Sequence, residues 1–190
     1  MLQQFLTEGW QLRKAGEEPQ PAVVPGTVYT DLLRNGNMED PFWKDNEIRA
    51  LALMDFDYEY QAVFDCDAQM LKKDRVLLHF DGIDTIADIY VNETKVGSAY
   101  NMHRVWEFEV RGLLRETENV LEVRLSSPLR YLAEQVEKNG SIPCNTDTTD
   151  GFPYLRKSSC MFGWDWGPRL PDMGIFRDVT LLGIHSARLT

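Results

Sequence analysis

At 190 residues and 43% hydrophobic content, the chain is long enough to bury one proper core. A net charge of −10 gives it no means to displace counterions from a phosphate backbone or to bind an anionic bilayer, so neither nucleic acid nor membrane is expected and a neutral ligand is favoured. No apolar run reaches membrane-spanning length, and Met1-Leu2-Gln3-Gln4 does not open like a signal peptide.

Along the chain, Thr27 is placed to cap a short helix over 29–34 that Asn35-Gly36 would end, and a second helix is expected over 46–54. Period-two alternation then dominates. Phe56, Tyr58, Tyr60, Ala62 and Phe64 interleave with Asp57, Glu59 and Gln61, predicting a half-buried strand over 56–64. Further strands are predicted over 75–80, 86–91, 105–110, 120–125 and 176–184. Asp81-Gly82, Asn92-Glu93-Thr94 and Glu118-Asn119 supply turn chemistry between them.

Trp106 should face the core with Phe108 and Val110. A third helix fits 128–138, with Pro128 at its start, Leu129, Leu132 and Val136 on one face, and Asn139-Gly140 after it. Many short strands and few helices indicate an all-β antiparallel sandwich or jelly roll in one domain spanning 1–190.

Residues 141–174 form a long irregular stretch with Pro143, Pro153, Pro168 and Pro171. Such a stretch in a compact domain is functional or disordered, and Phe152, Tyr154, Phe162, Trp164 and Trp166 argue against disorder. Built to face another domain, it is expected to be mobile alone. The tail Ala187-Arg188-Leu189-Thr190 carries no terminating signal, and a following domain is expected there.

Cys66, Cys144 and Cys160 are odd in number and lack CxxC or zinc-ligand spacing. Buried, inert thiols are expected, and with the signal peptide missing they lean toward the cytoplasm. His79, His103 and His185 are far apart and show no metal-ligand spacing, so no metal or cofactor is expected.

The motif Phe162-Gly163-Trp164-Asp165-Trp166-Gly167-Pro168 carries the most specific chemistry. Indole faces stack on the apolar faces of sugar rings, and a carboxylate between them accepts bonds from hydroxyls. The alternative is a packed Trp pair with Asp165 capping a turn. Arg104 and Arg177 are candidates to orient Asp165, and Asn101 is a candidate for the site rim. Trp43, after a proline, should pack against the helix at Asn46.

Ala87-Asp88-Ile89-Tyr90-Val91-Asn92, Val96-Gly97, Phe108-Glu109-Val110, Asn119-Val120-Leu121-Glu122-Val123 and Gly174-Ile175-Phe176-Arg177-Asp178-Val179 together resemble the N-terminal sugar-binding domain of family 2 glycoside hydrolases. The tryptophan loop, Asp40-Pro41-Phe42-Trp43 and Asn101-Met102-His103-Arg104 resemble its β-mannosidase branch, which often has Phe where this chain has His103.

The resemblance implies a galactose-binding-like jelly-roll β-sandwich with a few short helices. It also implies immunoglobulin-like domains and a catalytic barrel downstream. The chain's own later domains and a terminal β-mannoside or related glycoside would then be its partners. Trp164 would wall the sugar pocket and Asp165 would hold its hydroxyls, with Trp166 able to point either way. The retaining pair of carboxyls, about 5–5.5 Å apart, would sit on the barrel, which takes about 250 residues by itself.

Asp55, Asp57 and Glu59 read as a solvated strand face, and Asp147 and Asp150 as a polar loop, so no catalytic residue is expected within the chain. A free-standing carbohydrate-binding module, a purely structural sandwich, and a β-galactosidase or β-glucuronidase relative are the competing readings.

Overall fold

The computed structural model describes residues 1–144 and 147–188. Three strands open the chain, β1 (Leu2–Phe5), β2 (Trp10–Lys14) and β3 (Gln20–Pro21), followed by helices α1 (Val28–Arg34) and α2 (Asn46–Leu53). Strands β4 (Tyr58–Phe64), β5 (Arg75–Phe80), β6 (Ile86–Val91), β7 (Thr94–Tyr100), β8 (Trp106–Glu109) and β9 (Asn119–Leu125) build the body. After α3 (Pro128–Asn139) come the short β10 (Phe162–Trp164) and β11 (Gly167–Arg169), and then β12 (Val179–Ile184).

The strands make a four-stranded sheet, β1-β12-β5-β8, and a six-stranded sheet, β3-β2-β4-β9-β6-β7. Pairing within both is antiparallel. One apolar cluster fills the space between them. Val76, Leu78, Phe80 and Leu181 come from the first sheet, and Leu12, Tyr60, Ile89, Leu121 and Val123 from the second. The expected sandwich is observed.

Local chemistry accounts for the helices. The Thr27 side chain accepts from the Thr30 N–H while the Thr30 hydroxyl accepts from the Thr27 N–H, a reciprocal cap at the start of α1. Ser127 caps α3 ahead of Pro128, and Gly140, at φ 85°, ends it. Asn92 and Glu93 both take positive φ, 47° and 67°, and so join β6 to β7 in a two-residue hairpin.

Several expectations need correction. The strand expected from 56 begins at Tyr58, and Phe56 lies exposed under the Lys14 ammonium, 4.4 Å from its ring centre. The strand expected over 176–184 begins at Val179. Strands β1, β2, β3 and β7 were not anticipated. β7 is a sheet edge with only Ala99 fully buried, so it needs no apolar alternation.

Cys66 is buried, as expected, but Cys144 and Cys160 are exposed, and all three thiols are free. Of the tail expected to run on past Ala187, residues 189–190 lie outside the described residues.

Candidate functional site

The stretch that reads as irregular contains a small β-hairpin. β10 and β11 pair Phe162 with Arg169 and Trp164 with Gly167, leaving Asp165 and Trp166 at the tip. Gly163 makes this possible. Its φ is 98°, and a Cβ there would lie 2.4 Å from Arg169 Cγ and 2.9 Å from the Asp147 carbonyl oxygen. The base of the hairpin is anchored by Phe162. Its wholly buried ring stacks on Phe152 at 5.7 Å, in a separate cluster with Leu132 of α3 and Leu155.

The tip is the opposite: Trp164 is 46% exposed and Trp166 79%. It borders an open cleft of about 550 Å³, whose other wall includes Phe42 and Lys44. Asp40 Oδ1 accepts the Phe42 N–H at 2.9 Å and holds that wall in a turn. Trp43, expected to pack on the helix that follows it, is instead 63% exposed, beside a still more open Phe42. Arg169 ties the hairpin to α2, its backbone N–H and Nε both donating to Glu47 Oε1.

Asp165 is exposed and has no hydrogen-bond or ion-pair partner among the described residues. Its acceptor capacity is open to the cleft, between two open indoles. Stacking plus hydroxyl acceptance is the chemistry this arrangement offers.

The arginines expected to orient Asp165 do something else. Arg104 lies over the Trp106 ring at 4.5 Å and Arg177 over Phe176 at 5.5 Å, and neither pairs with Asp165. Asn101 supports a turn: its Oδ1 accepts the His103 N–H at 2.9 Å, and its carbonyl accepts Trp106 Nε1 at 3.1 Å. Neither Asn101 nor Arg104 lines the cleft, so of the expected site residues the structure brings together Trp164, Asp165 and Trp166. Trp106 is buried, as expected.

A group that sequence reasoning passed over joins the segments on either side of the hairpin to the β5–β6 connection. Lys157, Asp84 and Asp172 are all buried. The Lys157 ammonium donates to Asp84 Oδ2 and to the Asp172 carbonyl. Asp172 Oδ1 accepts the N–H groups of Tyr29 and Met173, at 3.1 and 2.8 Å. Burial pushes the Asp172 carboxyl up to about 6, against the opposing bonds from the Thr27 side chain and those two amides.

The carboxylates at and just before β4 are engaged elsewhere. Asp57 pairs with Arg130, and Glu59 with Arg13 and Arg124. Among the described residues, no group of three His, Cys, Asp or Glu side chains could hold a metal.

A family model described as the glycosyl hydrolase 2 galactose-binding domain-like family matches residues 10–177. The chain belongs to that family. The β-mannosidase of Capra hircus is 31% identical over 192 residues, covering 97% of this chain and 22% of that protein. β-Mannosidase B of Neosartorya fischeri is 32% identical over 198 residues, covering 99% and 23%.

The crystal structure of a β-D-mannosidase from Dictyoglomus thermophilum superposes with a TM-score of 0.94 at 38% identity, over all of this chain and 23% of that one. An Amycolatopsis orientalis exo-chitosanase, at 20% identity and a TM-score of 0.66, shares the fold. The chain thus spans under a quarter of the length of the relatives it matches. It is the N-terminal, galactose-binding-like domain of a family 2, β-mannosidase-like protein, as the motifs imply.

Proposed function

We propose that the chain serves as the non-catalytic N-terminal domain of a retaining exo-β-mannosidase, lending the tip of its β10–β11 hairpin to a sugar pocket completed by a catalytic barrel elsewhere in the protein. The observation that carries this reading is the exposed Asp165 carboxylate, without a hydrogen-bond or ion-pair partner among the described residues, flanked in sequence by two exposed indoles at the edge of a cleft. In this role Asp165 accepts hydroxyl hydrogen bonds of a terminal β-mannoside. Trp164 packs against the ring, and Trp166 closes the rim. The acid/base and nucleophile carboxyls belong to the barrel. Support comes from the relatives, which bear the name β-mannosidase and are more than four times as long as the matched region.

The test is Asp165→Ala in the full-length protein, assayed on a panel of nitrophenyl glycosides that includes the β-mannoside, β-galactoside and β-glucuronide. The β-mannoside should be the preferred substrate, and the substitution should lower its kcat/KM by roughly 10²–10³-fold. An unchanged kcat/KM removes Asp165 from the pocket, and preference for another glycoside removes the mannosidase reading.

A further inference from the structure

We infer that Lys157 is a positioning residue for the Trp164–Asp165 tip, its buried ammonium fastening both limbs of the 141–174 excursion to the sandwich. The inference rests on the proposed reading of that tip as a substrate contact.

Three chain segments meet at this one ammonium. Lys157 itself lies on the limb that leads into β10. Asp84, whose Oδ2 it bonds, lies on the connection between β5 and β6. The Asp172 carbonyl, its second acceptor, lies on the limb that returns from β11.

The returning limb is fixed further by neighbouring bonds. The Asp84 and Gly174 backbones exchange two hydrogen bonds of 2.9 Å each. The Asp172 carboxylate meanwhile takes the Tyr29 N–H at the start of α1. On the outgoing limb, Leu155, close to Lys157, belongs to the same cluster as Phe162, the root of the hairpin. Shifting the ammonium therefore shifts the hairpin's root relative to both sheets.

Cohesion alone would not require a lysine here. The side chains of Lys157 and Asp84 are 1% and 5% exposed, and desolvating two charges costs several kcal/mol that a well-packed apolar pair would not incur. What the ion pair adds is direction. An ammonium with two oxygen acceptors on separate segments fixes their spacing, whereas methylene contacts tolerate sliding. Burial pulls the Lys157 ammonium down from its ordinary value and pushes Asp84 up, with each partner's charge opposing the other's shift. Removing one partner would thus strand the other.

Lys157→Met alone leaves Asp84 uncompensated, so the deciding variant is the neutral pair Asp84→Asn with Lys157→Met. Hydrogen exchange on the full chain reads the outcome at the Thr149 and Leu170 amides, which bond the Phe162 and Met161 carbonyls at 2.9 Å. These two should exchange on the order of tenfold or more faster, while amides of β4 and β9 keep their protection. Unchanged exchange at Thr149 and Leu170 overturns the inference. So does uniform loss across the central strands, which marks a merely structural role.

In the full-length protein, the same pair of substitutions should lower kcat on an aryl β-mannoside more than it raises KM. Faster exchange with unaltered kinetics would leave the fastening in place and overturn the substrate reading of the tip.

Discussion

Arg169 donates twice to one oxygen of Glu47, from its backbone N–H at 2.9 Å and from Nε at 3.0 Å, so the second strand of the tryptophan hairpin is tied to helix α2. The same helix follows the turn whose Phe42 and Lys44 stand in the opposite wall of the cleft. One carboxylate therefore sets the distance between the two aromatic walls. Because the pair is partly exposed, its contribution to global stability should not exceed about 1 kcal/mol. Its effect on the cleft should be larger. Glu47→Ala is expected to leave the unfolding midpoint of the chain nearly unchanged while lowering kcat/KM of the full-length protein by about tenfold. Urea denaturation and steady-state kinetics on one preparation check both halves.

Gly163 sets the path of the hairpin in a second way. With a φ of 98° and the Asp147 carbonyl oxygen 2.9 Å from where a Cβ would stand, alanine strains the backbone and also collides with it. Gly163→Ala should cost about 1–3 kcal/mol and distort the tip. Chemical denaturation measures the first effect. Near-ultraviolet circular dichroism of the tip indoles reports the second. A variant as stable as the parent, with an unaltered spectrum, would contradict this account of the turn.

Much of the sandwich is written in residue periodicity. Tyr58, Tyr60 and Ala62 alternate with polar neighbours because only one face of β4 meets the core, and the same logic placed Trp106 inside. β7 escaped notice because an edge strand with one buried residue has no such alternation to show. At the site, the Trp-Asp-Trp run was legible since so much aromatic surface around a carboxylate suits few other purposes. Its supports were not. A lysine in a sequence reads as solvated surface, and nothing local to Lys157 reveals that Asp84 will be folded against it. Arg104 is illegible in sequence for the same reason. Its cation meets the Trp106 ring rather than Asp165, and sequence spacing does not rank one partner over another.

The hairpin separates anchoring from contact, and substitutions should separate them too. Phe162 is wholly buried against Phe152, so Phe162→Ala leaves a cavity and should cost about 3–5 kcal/mol. Trp166, 79% exposed, has little to lose, and Trp166→Ala should shift stability by about 0.5 kcal/mol or less. Any loss of kcat/KM in the tryptophan variant then belongs to the pocket. Paired thermal melts of the two variants test the division, and a large destabilisation by Trp166→Ala would reassign the tip to packing.

The buried Asp172 gives stability a pH dependence of determinate sign. Its folded-state value is raised from 3.8 to about 6, chiefly by burial. Between those values the folded chain keeps a proton that the unfolded chain has released. This group's contribution is therefore fully present below pH 3.8 and is lost as pH rises through 6. The span corresponds to about 3 kcal/mol. Asp172→Asn removes the titration and keeps an acceptor for the Tyr29 and Met173 amides. Near pH 4 the variant and the parent should be of similar stability, and by pH 7 the variant should be the more stable by up to about 3 kcal/mol. Urea unfolding of both chains across that range measures the difference directly. A gap that stays constant, or that opens toward low pH, would show that the Asp172 carboxyl is not held protonated by its surroundings.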